Sequence, residues 1–129
     1  MLAFEYQKTP INHEYKTFFE LEEGFVKSYL RSIGLKEDNK KIPSSIFAIY
    51  NFWNSTMGNP VPGTIHLKQK MENLLEPQIG DNFEVTITIK DKFRKKERDY
   101  LVFETEFHKD GKLYCKETTT YLWGFANGN

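Results

Sequence analysis

Apolar positions change their rhythm twice along this chain. Between residues 22 and 34, Val26, Leu30 and Ile33 recur at helical spacing, with Phe25 and Tyr29 beside them. Glu22 and Glu23 place acidic groups at the positive end of this segment, and Gly34 is positioned to stop it in the left-handed conformation. From 44 to 57 apolar residues fall on every side: Ile46, Ile49, Tyr50, Trp53 and Met57 share one face, and Phe47 and Phe52 occupy the other. A helix apolar nearly all round is buried by its surroundings. Pro43 ahead of it, Ser44 or Ser45 as a cap, and Gly58-Asn59-Pro60-Val61-Pro62-Gly63 behind it predict a central helix over residues 44–57.

Beyond the helix the period falls to two. Ile65, Leu67 and Met71 alternate with His66, Lys68, Lys70 and Glu72, and Phe83, Val85, Ile87 and Ile89 alternate with Glu84, Thr86, Thr88 and Lys90. Leu101, Phe103, Thr105 and Phe107 mark a further strand; Leu113, Cys115, Thr119, Tyr121 and Trp123 mark the last. Half-buried strands read this way, so residues 64–123 are predicted to hold the main strands, with turns at 77–81 and at Asp110-Gly111. Matching apolar faces across the second turn predicts a three-residue loop with a bulge at Gly111, which sets Phe107 opposite Leu113 and Thr105 opposite Cys115. A short strand is predicted over 17–21, and residues 1–16, without a sustained period, are predicted to form an N-terminal arm. One apolar helix followed by an antiparallel meander predicts a single α+β domain over 1–129, its sheet wrapped around the helix.

Composition sharpens this picture. With 39% hydrophobic and 16% aromatic residues in 129, the chain can build a core without disulfides or metals. Lys plus Arg equals Asp plus Glu at 18 each, so no global field favours nucleic acid or an anionic membrane. Neither class of partner is expected. Cys115 cannot form an internal disulfide, and no leader or long apolar run opens the chain, so a soluble cytoplasmic protein is expected. Cys115 falls in an alternating strand and is read as a small core residue. The densest charge cluster, residues 92–99, is read as an exposed hairpin connection. His66 falls on the polar side of its strand, His13 in the arm and His108 at a hairpin end; no ligand spacing links them, and neither a metal nor a cofactor is expected.

Val61-Pro62-Gly63-Thr64-Ile65-His66-Leu67, followed by Leu75-Glu76-Pro77-Gln78-Ile79-Gly80-Asp81-Asn82-Phe83-Glu84-Val85, resembles the second half of hot-dog domains of the MaoC-like dehydratase family. Glu104-Thr105-Glu106-Phe107 with Asp110-Gly111 and Lys116-Glu117-Thr118-Thr119-Thr120 is similar to that family's last hairpin, and the N-terminal type of MaoC hot dog is the nearest pattern. The resemblance implies a hot-dog fold that works as a homodimer or as a heterodimer with another hot-dog subunit. It implies a ligand that is an acyl-CoA or acyl-carrier-protein thioester, and an activity related to (3R)-hydroxyacyl-thioester dehydration and enoyl-thioester hydration. Catalytic members use an Asp and a His from a D-x-N-P-x-H loop ahead of the helix. The comparable loop here is Glu37-Asp38-Asn39-Lys40-Lys41-Ile42-Pro43, in which Asp38 and Asn39 are the candidate catalytic residues, spaced differently and without a histidine.

Hydration needs a base near water, a proton source and donors aimed at the thioester oxygen. The backbone around Ser45 and Ile46, at the start of the central helix, is the candidate donor set. Tyr50, Asn51, Trp53 and Asn54 put polar groups within an apolar helix and are candidates to line the acyl or pantetheine channel. Gly63 and Thr64, in the Pro-Gly turn, complete the expected binding set. Two alternatives stand beside the lyase: a non-catalytic acyl-binding subunit that completes a catalytic partner, and an acyl-CoA thioesterase.

Overall fold

A computed structural model describes residues 3–39, 41–50, 53 and 56–124. The chain runs through β1 (Glu14–Glu20), α1 (Glu23–Ser32), a 3₁₀ helix (Ser44–Ile49), β2 (Ile65–Asn73), β3 (Asn82–Lys95), β4 (Arg98–Lys109) and β5 (Lys112–Trp123). The strands form one antiparallel sheet in the order β1-β3-β4-β5-β2. Phe83, Val85, Ile87 and Ile89 of β3, with Leu101, Phe103 and Phe107 of β4, are buried, as period-two alternation requires of a sheet with one covered face. Tyr15 and Phe19 extend that face along β1 and Cys115 along β5.

Phe47 is the plug. Only 1% exposed, its ring meets Phe107 at 4.8 Å, Phe83 at 5.1 Å and Phe19 at 6.3 Å. The helix that carries it departs from expectation. It is a six-residue 3₁₀ turn, and Tyr50 leaves it in an extended conformation (φ −68°, ψ 119°), so no continuous α-helix spans 44–57. Apart from Ala48 and Met57 the segment is built from serine, asparagine, β-branched and aromatic residues, all poor helix formers, and Tyr50 is anchored outside the helix by its hydroxyl donating to Phe18 O. Ile49, expected on the buried face, is 47% exposed, while Ile46 and Phe47 are the residues that enter the core. Phe52 and its place on the other face lie outside the described residues.

α1 forms where expected and buries Val26, Tyr29 and Leu30; Ile33 and Phe25 are exposed. Gly34 (φ +82°) ends it in a Schellman arrangement, with Leu35 N–H donating to Leu30 O at 2.9 Å and Gly34 N–H to Arg31 O at 3.1 Å. The arm is anchored: Phe4 N–H donates to Met57 O at 2.8 Å, Tyr6 Oη to Tyr100 O at 2.8 Å, and Lys92 Nζ to the carbonyls of Tyr6 and Thr9.

Three strand details correct the sequence reading. The charged stretch 92–99 continues the sheet. β3 runs to Lys95, Phe93 stacks on Tyr100 at 4.8 Å, and the turn is only Lys96-Glu97, both left-handed (φ +52° and +62°). Asp110-Gly111 is likewise a two-residue turn (φ +51° and +75°), pairing Lys109 with Lys112. The bulge sits at Tyr114, so that Phe107 pairs with Cys115 and Thr105 with Glu117. Finally, β2 is an edge strand with Ile65 and Leu67 exposed, and a bulge between His66 and Lys68 breaks its alternation. That bulge turns His66 to the side of Tyr121, 5.1 Å away between ring centres.

Candidate functional site

The concave face of the sheet is covered from two directions. Phe47 sits over Phe83 and Phe107, and Trp53 meets Phe103 at 5.9 Å and Tyr121 at 5.7 Å. Thr105 lies between Phe103 and Phe107 on the same face of β4, and Glu117, its partner across the β4–β5 pair, lies between Cys115 and Thr119. Thr105 is fully buried and Glu117 is 3% exposed. Thr105 Oγ1 and Glu117 Oε1 have no hydrogen-bond partner. Gln69, one strand over on β2, hydrogen-bonds the Glu117 side chain.

Burial raises the Glu117 carboxyl to a pKa of about 7, against the weaker lowering effect of Gln69. Desolvation also pushes the Cys115 thiol up to about 12, with the Glu117 charge adding to it, and Cys115 Sγ donates to Asn73 Oδ1 at 3.3 Å. That thiol is a core group, as its strand position indicates. Burial raises the Tyr121 phenol as well, while a hydrogen bond with Trp53 opposes the shift.

The residues named from sequence are dispersed. Asp38 and Asn39 open onto a surface groove of about 500 Å³ that is also lined by Lys27, Ile42 and Gln78. Asp38 is exposed, and Asn39 Nδ2 donates to Lys41 O at 2.9 Å. Tyr50 borders a different groove, of about 380 Å³, with Phe18, Phe25 and Ile49. Its hydroxyl donates to Phe18 O at 2.6 Å and its ring stacks on Phe19 at 4.3 Å.

Ser45 Oγ hydrogen-bonds Tyr29 Oη, tying the 3₁₀ helix to α1. Ile46 is fully buried, and its N–H donates to Pro43 O at 3.1 Å. That amide is therefore engaged within the first turn and is not aimed at a ligand carbonyl. Thr64 Oγ1 accepts from Gly124 N–H at 3.0 Å, and Gly63 adopts φ +87° in the turn before β2, so both have structural work there. Asn51 and Asn54 lie outside the described residues.

Glu117 escaped the reading of the sequence, although the signal is visible: in the run Leu113, Cys115, Thr119, Tyr121, Trp123 it holds the one missing odd position, an acid in an apolar register. Among the described residues no cluster of His, Cys, Asp or Glu has the arrangement of a metal site, and no helix is long and apolar enough to cross a membrane.

No protein-family model matches the chain, and no curated protein matches it in sequence. Solved structures do match. The chain is similar to the C-terminally truncated HadBC (3R)-hydroxyacyl-ACP dehydratase complex from Mycobacterium tuberculosis, with a TM-score of 0.68 and 16% identity over 89% of this chain and 98% of that one. A MaoC-like dehydratase from Rhodospirillum rubrum aligns with a TM-score of 0.66 and 8% identity over 94% and 97% of the two chains. The (R)-hydratase from A. caviae aligns with a TM-score of 0.61 and 12% identity over 91% and 98%. Strand order, the covered concave face and these likenesses agree: the chain has the α+β hot-dog fold of the MaoC-like dehydratases and (R)-hydratases.

Proposed function

We propose that this chain is a hydratase-related hot-dog protein whose ligand is an acyl thioester, carried on coenzyme A or an acyl-carrier protein. The observation that carries the reading is the likeness, over about nine-tenths of the chain, to structures described as hydroxyacyl-ACP dehydratase and (R)-hydratase. The groove bordered by Phe18, Phe25, Ile49 and Tyr50 offers apolar side chains to an alkyl chain, and burying each methylene contributes about 0.8 kcal/mol.

A second reading is favoured by a specific observation: the chain is a non-catalytic subunit that completes a catalytic hot-dog partner. Among the described residues that line the groove beside Asp38 there is no histidine, and the Ile46 amide is engaged within its own turn. Hydration needs both an acid/base pair and free donors at the thioester oxygen.

Three assays on the pure protein separate the readings. Hydration of a trans-2-enoyl-CoA, lost in Asp38→Ala, supports the lyase; hydration that arises only when a second hot-dog subunit is added supports the partner reading. Release of free thiol supports a thioesterase. If the protein binds no acyl-CoA at all by titration calorimetry, the proposal is wrong.

A further inference from the structure

Four aromatic side chains and two carboxylates share one groove, of about 380 Å³, where β1 meets the start of α1. Phe19, 3% exposed, is the buried ring among the four; Phe25 stands edge-on to it at 5.8 Å and Tyr50 stacks on it at 4.3 Å. The Tyr50 hydroxyl donates to Phe18 O at 2.6 Å, which holds that ring in place before any ligand arrives. Phe18 is 64% exposed and Phe25 is 37% exposed, so aromatic surface lies open to solvent on both sides.

The charge of the lining has one sign. Glu20 and Glu22 border the rings, and no Lys, Arg or His is among the described residues there. Glu14 and Glu23, the next carboxylates along the chain on either side, are paired with Lys16 and Lys27. Among the described residues no ion pair takes up Glu20 or Glu22, and the Glu22 side chain makes no capping hydrogen bond although it stands at the N-cap of α1. Aromatic walls with a purely acidic rim attract cations, since the ring faces and the carboxylates are both negative.

The walls also select the kind of cation. An ammonium with N–H groups is strongly hydrated and finds no hydrogen-bond acceptor on a wall of ring carbon. A trimethylammonium group presents its charge through methyls, which make apolar contact with the rings while the charge meets their faces. A plain alkyl end gains the apolar contact alone, and a carboxylate end is repelled by Glu20 and Glu22. We propose that this groove recognises a trimethylammonium group at the end of the acyl chain, so that acyl thioesters with a quaternary ammonium tail are preferred over uncharged ones of the same shape. The inference rests on the acyl-thioester reading above.

Titration calorimetry with γ-trimethylammonio-butanoyl-CoA and with its uncharged isostere, in which tert-butyl replaces trimethylammonium, tests it, because shape and apolar area are matched and only the charge differs. The charged tail is expected to bind about tenfold tighter. Glu20→Gln combined with Glu22→Gln removes the acidic rim, and Phe25→Leu keeps apolar bulk while removing a ring; each is expected to cut the preference to about threefold or less and to leave affinity for the isostere within about twofold of wild type. Equal binding of the two tails, or tighter binding of the isostere, overturns the inference and leaves the acyl-thioester reading standing, as does a preference that neither variant reduces. If neither thioester binds the wild-type protein, that reading falls and the inference falls with it.

Discussion

Phe107 faces Cys115 across the last hairpin only because Tyr114 stands out of the ladder between them. The two-residue Asp110-Gly111 turn would by itself put Phe107 opposite Tyr114 and throw every later side chain of β5 onto the wrong face. One extra residue restores the match, and the displaced Tyr114 carbonyl accepts from Leu74 N–H at 2.9 Å and Leu75 N–H at 3.3 Å. Deleting Tyr114 therefore keeps Cys115 opposite Phe107. The deletion variant is expected to melt cooperatively, at a cost of about 1–3 kcal/mol for the two bonds lost. An unfolded product in circular dichroism would refute this account of the bulge.

The turn at Lys96-Glu97 holds two side-chain-bearing residues in left-handed conformations that glycine and asparagine adopt with less strain. Replacing the pair by Asn-Gly is expected to raise stability by about 1 kcal/mol, the left-handed strain being partly offset by the greater freedom of glycine in the unfolded chain. Urea titration reads this as a higher midpoint at unchanged slope.

Phe47 joins three rings from β1, β3 and β4 under the 3₁₀ helix. Phe47→Ala is expected to cost about 3–5 kcal/mol, because the cavity it leaves is walled by a sheet that cannot collapse into it. Ile49→Ala, on the exposed side of the same turn, is expected to cost less than about 1 kcal/mol. Equal losses in thermal melts would contradict the assignment of the buried side.

Glu117 makes stability depend on pH in a defined direction. In the unfolded chain its carboxyl releases a proton near 4.5, whereas the folded chain holds it to about 7. Between those values the folded state binds more protons, so its stability falls as pH rises through the window and levels off above it. The full loss from this one group is about 3 kcal/mol. Glu117→Gln removes the dependence, so the stability difference between variant and wild type should shift in the variant's favour from pH 4.5 to pH 8. A difference that stays flat over that range would show that the carboxyl is ionised in the folded state.

Much of the sheet was legible because alternation in β3, β4 and β5 reports directly on a face buried on one side only. Gly34 was legible as a stop for the same kind of reason, since a left-handed position favours the residue without a Cβ. The rest failed where backbone geometry competed with composition. Residues 92–99 read as a loop because seven of the eight are charged and the Phe93–Tyr100 stack is a tertiary contact. The helix over 44–57 was overextended because apolar density says that a segment is buried, not which backbone it adopts. The strand positions around Glu117 were read for their apolar members, which hid the one acid among them.

The sheet order has a kinetic side. β1, near the start of the chain, docks on β3, more than sixty residues later, while β3, β4 and β5 join through two tight turns. During synthesis the first strand therefore waits, its Tyr15 and Phe19 rings uncovered, until β3 has emerged, and β2 waits in turn for β5. Until β3 is available those two rings have no sheet to close on, and the nascent chain is exposed to misassociation through that interval.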